Sequence, residues 1–303
     1  MITAIRNFAK RNLFLRKLVG YYLASSGLFD GFFRNYSVTP LWEKRISNVL
    51  ESSDNLLIPK VENAGMIKGG KQIMHNGLKI YLGSYYGPEY SKMLSLSKGV
   101  HEPQEERVFM EALKTVPIGS LMIEMGAFWS FYSMWFNKEV KEAVNYMIEP
   151  DYFNMGQGKR NFKLNHMKGK FIQGYVGQES RMADGNTILS VDGFIKEHSI
   201  PFIHMLHSDI QGFEYEMLLG ALNTFNENKI GYIFISTHSN ELHYQCLNFL
   251  KERNFLIIAS ADLDETFSVD GLIVASAKGF KSISPVNISK KIRKVPLMCN
   301  EQL

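Results

Sequence analysis

Cysteine is nearly missing from this sequence: its 303 residues contain only two, Cys246 and Cys299. Two thiols cannot build a disulfide framework or a four-thiolate zinc site, so a reducing, cytoplasmic setting is expected. Long apolar runs are missing too. The best one near the start, Leu18 to Phe33, is interrupted by Ser25, Ser26 and Asp30. It is too short to cross a bilayer and lacks the unbroken core of a signal peptide. There is no internal repeat and no low-complexity stretch. With 45% hydrophobic and 21% charged residues the composition is that of a folded chain, which excludes disordered, collagen-like and mini-protein readings.

Neither sign of charge dominates, since the net charge is only +4. Its distribution is uneven, however. Residues 1–20 carry Arg6, Lys10, Arg11, Arg16 and Lys17 and no acid. Residues 281–303 carry Lys281, Lys290, Lys291, Arg293 and Lys294 against Glu301. The body between them is therefore net acidic. That argues against a nucleic-acid partner spread over the whole surface and leaves local contacts at the two ends. Residues 3–24 have a basic amphipathic pattern, with Ile5, Phe8, Leu13, Leu15, Leu18, Val19, Tyr22 and Leu23 at roughly helical spacing. A helix packed on its own domain or on a second subunit is one reading of it; a helix lying on a membrane surface is the other.

Residues 35–115 read as helical and irregular structure, either a substrate lid or an N-terminal cap. Ser52-Ser53-Asp54 and Asn63 to Gly70 are expected to be turns, Leu78 to Leu82 a short strand and Glu105 to Val116 a helix. From Ser120 onward apolar runs alternate with helical stretches. Strands are expected at Leu121–Met125, Asn145–Glu149, Lys170–Val176, Phe202–Ser208, Ile230–Thr237, Phe255–Ala261 and Gly271–Ser276. Helices are expected from the turn after Met125 to about Phe136, then at Tyr152–Asn165, Val191–His198, Phe213–Phe225 and Leu242–Arg253. This alternation implies an α/β fold with a doubly wound, largely parallel sheet. The last two strands have no room for a helix between them and should form an antiparallel pair. The expected organisation is thus 1–115 as basic helix and cap, 116–280 as the catalytic domain and 281–303 as a basic tail.

In such a sheet ligands bind beyond the carboxyl ends of the strands. The first strand of the alternation ends in Glu124-Met-Gly-Ala-Phe-Trp-Ser130. Gly126 permits a tight turn, and the helix behind it favours an anionic group; a full G-x-G-x-x-G is absent. The second ends in Glu149-Pro150, where an acid is placed to accept hydrogen bonds from the hydroxyls of a ribose. The fourth runs into His204-Met-Leu-His-Ser-Asp-Ile-Gln-Gly-Phe-Glu214, and the fifth into Ile235-Ser-Thr-His-Ser239. Asp209 and His238 therefore meet above adjacent strand ends. A histidine there can serve as a general base near neutral pH. With His207 or Glu214 the pair can alternatively hold Mg²⁺ or Mn²⁺.

The succession Ile-Glu-Met-Gly-Ala, Ile-Glu-Pro, Ser-Asp-Ile-Gln-Gly-Phe-Glu and Leu-Leu-Gly-Ala resembles the FkbM family of S-adenosylmethionine-dependent methyltransferases over residues 118–278. The resemblance implies a class I methyltransferase (Rossmann-like) sheet closed by an antiparallel pair. It also implies O-methyl transfer to a hydroxyl of a sugar, glycan or small natural product. Glu124, Gly126 and Ala127, followed by Ser130, fall on the family's turn around the methionine part of the cofactor. Glu149 falls on its ribose acid, and Val176, within Gly174 to Gly177, flanks the adenine. Asp209 matches the acid ending the fourth strand. The chain departs from the family at Phe128-Trp-Ser130, where Asn-x-Gly is usual, at His207, where Lys is usual, and at Gln211, where Glu is usual. His238, Asp209 and His207 are the expected catalytic residues, with Asp209, His238 and Glu214 as metal candidates. A small-molecule or glycan acceptor is the expected partner, with residues 1–24 as a membrane or subunit contact and a homo-oligomer as one assembly state. Two other readings remain: a metal-dependent hydrolase built on His207, Asp209 and His238, and a non-catalytic methyltransferase-like binding domain.

Overall fold

The computed structural model describes residues 22–292. The basic segment 1–20, Arg293, Lys294 and most of the expected amphipathic pattern lie outside the described residues. The chain first builds α1 (Asp30–Arg34), α2 (Pro40–Glu51) and α3 (Ser53–Leu57), then a small antiparallel sheet of β1 (Ile67–Lys68), β2 (Lys71–Ile73) and β3 (Lys79–Tyr81). Two helices follow, α4 (Pro88–Leu96) and α5 (Pro103–Leu113). Both begin at a proline, whose fixed φ and missing N–H suit a first helical turn.

The alternation then runs β4 (Leu121–Met125), α6 (Phe131–Glu139), β5 (Val144–Ile148), α7 (Tyr152–Leu164), β6 (Lys170–Ile172), β7 (Tyr175–Val176), β8 (Arg181–Ala183) and β9 (Asn186–Leu189). It continues with α8 (Val191–Glu197), β10 (Ile203–Ser208), α9 (Glu214–Leu219), α10 (Leu222–Asn226), β11 (Ile230–Thr237), α11 (Asn240–Glu252), β12 (Leu256–Ala261) and β13 (Gly271–Ser276). The large sheet has seven strands in the order β12-β13-β11-β10-β4-β5-β6. β11, β10, β4, β5 and β6 pair in parallel, and β13 runs antiparallel between β11 and β12. This is the class I methyltransferase sheet, closed by the expected antiparallel pair.

Every residue of β11 is buried, as a central strand covered by helices on both faces requires. Tyr232 and Phe234 enter one core with Met122, Met147 and Met205; Ile233 and Ile235 enter the other with Ile123, Ile148 and Leu206. The first core continues through α5 and α6 into the cap at Ile46, Val49, Met74 and Tyr90.

Several expectations change. The strand expected over Lys170–Val176 divides at Gln173-Gly174: β6 joins the large sheet, whereas β7 pairs with β9 in a separate small one. The segment Gln178–Asn186, where no strand is expected from the sequence, contributes to the hairpin β8–β9 across Asp184-Gly185, both at positive φ. The helix expected over Phe213–Phe225 breaks at Gly220, where an added Cβ would come within 2.5 Å of the Gly177 carbonyl.

The turn expected at Ser52-Ser53-Asp54 is mostly helix: only Ser52 lies between α2 and α3, and Asp54, in the first turn of α3, is fully buried. The Asp54 carboxylate takes the Ser289 backbone N–H at 2.7 Å and an Arg107 guanidinium N–H. Val286 N–H donates to the Ile258 carbonyl at 2.8 Å. These bonds fasten the first part of the tail to the sheet and the cap.

Candidate functional site

β4 lies between β10 and β5, so the strand order reverses there and a crevice opens beyond the carboxyl ends. A cavity of about 450 Å³ occupies it, a normal size for a small-molecule site. Glu124, Gly126, Ala127, Glu149, Val176, His207 and Asp209 line it, with Tyr85, Tyr86, His101 and Glu102 contributed by the cap. Ser130, Glu214 and His238 are not on its wall.

The turn after β4 is shaped by backbone contact. Gly126 has φ +76°, and a Cβ there would sit 1.7 Å from the Asp209 carbonyl oxygen. Only glycine lets the β4 turn and the β10 end approach this closely. Phe128 and Ser130 follow with φ +36° and +61°. The Phe128 N–H donates to Glu149 Oε2 at 3.0 Å, and the Asp151 N–H to Glu149 Oε1 at 2.9 Å. Each Glu149 oxygen thus keeps a lone pair for a ligand. Burial raises the Glu149 pKa, against the pull of those two N–H groups. Ser130 Oγ is buried without a partner beneath the turn and starts α6.

Register sets the floor of the cavity. His207 on β10 pairs with Glu124 on β4, so both side chains leave the sheet on one face. Glu124 Oε2 accepts the Ser133 backbone N–H at 3.1 Å, and burial lifts its carboxyl to about 7. His207 Nε2 lies 2.7 Å from Glu105 Oε1 on α5, with its ring against Tyr132 at 4.3 Å. His207 Nδ1 has no protein partner. Burial disfavours the charged imidazole, yet Glu105, Glu124 and Asp209 together raise its pKa. Burial likewise raises the Glu105 carboxyl. His101 sits between Glu106 Oε1 (2.5 Å) and Glu102 Oε2 (3.3 Å), and Glu102 also receives the Tyr132 hydroxyl at 2.9 Å. Against desolvation, those carboxylates push the His101 ring up to about 10.

His238 requires a correction. It stands behind Asp209, with Nδ1 3.0 Å from Glu214 Oε1 and Nε2 3.3 Å from Asp209 Oδ1 and 3.5 Å from Asp270 Oδ1. The Gln211 amide lies against the same Nε2 at 2.8 Å and donates to Asp209 Oδ1 at 3.0 Å. Burial opposes the charged ring, but Asp209, Glu214 and Asp270 raise its pKa to about 10. Both ring nitrogens are turned to carboxylates and the ring stands off the cavity wall, so the expected general base is placed to position Asp209 instead.

The expected metal ligands are corrected as well. Glu214 Oε1 is engaged by the Ile210 and Gly212 N–H groups and by His238, and both His238 nitrogens face carboxylates. Among the described residues no group of three or more His, Cys, Asp or Glu is arranged to hold a metal ion. The donor set the hydrolase reading needs, His207, Asp209 and His238, does not converge: His207 turns to Glu105 instead.

Sequence reasoning missed Glu105, Glu102, His101 and Asp270. The run His101-Glu102-Pro-Gln-Glu105-Glu106 reads locally as an acidic first helical turn, which the helix dipole alone explains. Only the fold brings it against β10.

Residues 186–257 match the family model described as Methyltransferase FkbM domain. The match spans β9 to the start of β12 and includes Asp209, Gly212 and Glu214. No curated protein matches the chain. Among solved structures, the chain is similar to precorrin-6y C5,15-methyltransferase from Geobacter metallireducens GS-15 (11% identity, 57% of this chain and 89% of that one, TM-score 0.41). It is also similar to M. capricolum TrmK in complex with S-adenosyl-homocysteine (13% identity, 57% and 68%, TM-score 0.38). A third is the Pyrococcus abyssi tRNA (uracil-54, C5)-methyltransferase in complex with S-adenosyl-L-homocysteine (14% identity, 57% and 37%, TM-score 0.38). The resemblance to the FkbM methyltransferases is therefore carried by a family-model match over residues 186–257, within a sheet of class I methyltransferase order.

Proposed function

We propose that the cavity binds S-adenosylmethionine and that the chain catalyses O-methyl transfer to a hydroxyl of a sugar, glycan or small natural product. The observation that carries this is the cradle at the strand ends: the glycine turn at Gly126 and the half-free carboxylate of Glu149 face one cavity with Asp209. The residues present fit the cofactor. The Gly126 turn leaves room beside the backbone, and Glu149 offers two acceptor lone pairs at the right strand end for ribose hydroxyls. When bound, the cofactor supplies an electrophilic methyl on a sulfonium.

The chain's own residues supply placement and proton handling. Asp209, held by His238 and Gln211, stands beside His207 on the cavity wall, where its negative charge stabilises the imidazolium that forms there. His207, held through Nε2 by Glu105, presents Nδ1 as the proton acceptor. Tyr85, Tyr86, Phe128 and Trp129 line the same cavity, with Tyr85 stacked on Trp129 at 4.5 Å. Such rings suit the C–H faces of a sugar as well as a planar acceptor.

Calorimetry with S-adenosylhomocysteine tests the reading. The wild type should bind, and Glu149→Ala should weaken binding at least about tenfold, the loss of two charge-assisted hydrogen bonds. No binding by a folded wild type at millimolar ligand would sink it. Binding without methyl transfer to any hydroxylated acceptor would favour the non-catalytic reading.

A further inference from the structure

α5 and α6 also wall a second cavity, of about 510 Å³, that shares no residue with the one at the strand ends. Its size is again that of a small-molecule site. Met110 and Leu113 of α5 and Trp135 of α6 give it an apolar floor, which Pro59 and Val61 of the cap continue. His75, almost wholly buried, stands on the same wall; its Nε2 lies 3.0 Å from Glu106 Oε2 and its ring packs on Trp135 at 4.6 Å.

Two polar groups on this wall lack the partner their chemistry asks for. Asn76 Oδ1 accepts the Leu78 N–H at 3.2 Å, which fixes the orientation of the amide. Its Nδ2 is then a buried donor with no partner. A buried donor left so is costly, and a ligand oxygen would answer it. Lys60 donates only to main-chain carbonyls, that of Asn55 and that of Ile58 at 3.1 Å, and makes no ion pair among the described residues. Burial lowers its pKa; Glu106 pulls the other way and Lys98 adds to the lowering. An anion beside it would favour the charged form again. The remaining charges on the rim have partners of their own: Lys114 is bound to Glu111 at 2.7 Å, and Lys138 stands 3.8 Å from Glu139. One ammonium without a counter-charge and one amide N–H without an acceptor are left over, above an apolar floor.

We propose that this cavity binds a small organic acid, with its carboxylate on the Lys60 ammonium and the Asn76 amide and its apolar body on Trp135, Met110 and Leu113. A carboxylate brings two oxygens to two donors, and hydrogen bonds to an ionised group are the strong kind. A neutral ligand would leave Lys60 without a counter-charge, and an acid with no apolar body would leave the floor in contact with water. The site does not depend on the cofactor reading, because the walls of the two cavities are separate.

Calorimetry of the full-length protein with phenylacetate tests this, with phenylacetamide as the neutral isostere. Phenylacetate should bind with a Kd of about 1 mM or tighter, and the amide at least about tenfold more weakly. Lys60→Met keeps the alkyl stem without the charge and should weaken phenylacetate binding about tenfold or more. Lys60 also ties two carbonyls, so Asn76→Asp is the second variant. It keeps the Oδ1 bond to Leu78 and sets a carboxylate oxygen where the donor stood; binding should be lost while the far-ultraviolet circular dichroism is unchanged. Saturating S-adenosylhomocysteine should not displace phenylacetate. No binding by the folded wild type at about 10 mM phenylacetate, equal binding of acid and amide, or unaltered binding by both variants would overturn the proposal. Displacement by S-adenosylhomocysteine would overturn it too, by assigning the acid to the strand-end cavity.

Discussion

Gly126 is the position where a single methyl group has the largest consequence. Its Cβ would meet the Asp209 carbonyl oxygen at 1.7 Å in a left-handed backbone conformation, so Gly126→Ala must part the β4 turn from the β10 end. The expected cost is about 4 kcal/mol or more, at the upper end of single substitutions, together with loss of S-adenosylhomocysteine binding; urea denaturation and calorimetry would read both. The buried histidines make a second residue-level prediction. His101 and His238, each hemmed in by carboxylates, hold their protons in the folded state up to about 10. An unfolded imidazole releases its proton near 6.5. The folded form therefore binds more protons between those values, and stability declines as pH rises through that window. The denaturation midpoint should fall steadily from pH 7 to pH 10, and His238→Gln should flatten the slope. A midpoint independent of pH over that range would contradict the charged-ring description.

At the scale of elements, α5 does more than cap the sheet. It carries Glu105 to His207, and nothing else among the described residues answers that ring's Nε2. Glu105→Ala leaves a buried imidazole without its counter-charge and should cost about 3–5 kcal/mol. Glu105→Gln keeps the hydrogen bond but removes the anion, so the His207 pKa should fall. If His207 accepts the hydroxyl proton, the rise of methyl transfer with pH should shift to lower pH in that variant. A purely structural role would lower the rate equally at every pH.

Elements were legible in the sequence wherever one strand lies under helices on both faces. Leu121–Met125, Ile230–Thr237 and Gly271–Ser276 are mostly apolar runs with clear ends, and the structure has them at those residues. Asp209 was placed by counting along such a strand. The α5 contribution was hidden because its partner is 102 residues away and its own sequence is explained by helix capping. The surroundings of His238 were hidden for a similar reason: Asp270, which faces its Nε2, comes from the connection just before β13.

Across the whole molecule the cap and the sheet are joined by buried charge. Glu105 with His207 and Ser236, Glu102 with the Tyr132 hydroxyl, and the shared core from Tyr90 to Phe234 all cross the boundary. The cap cannot swing away as a rigid flap without uncovering several of these ions, each costly to leave unpaired. Small-angle scattering should accordingly show no change in the radius of gyration when S-adenosylhomocysteine binds, whereas a hinged cap would contract measurably.

The cavity still needs a mouth. Tyr86, Tyr175 and Phe213 line it and are each about half exposed, so passage falls to the rotation of three rim side chains. Such rotations take picoseconds to nanoseconds, not the microseconds to milliseconds of a domain hinge. On the proposed function, entry and exit of ligand would then be fast relative to typical turnover, leaving the chemical step itself to limit the rate.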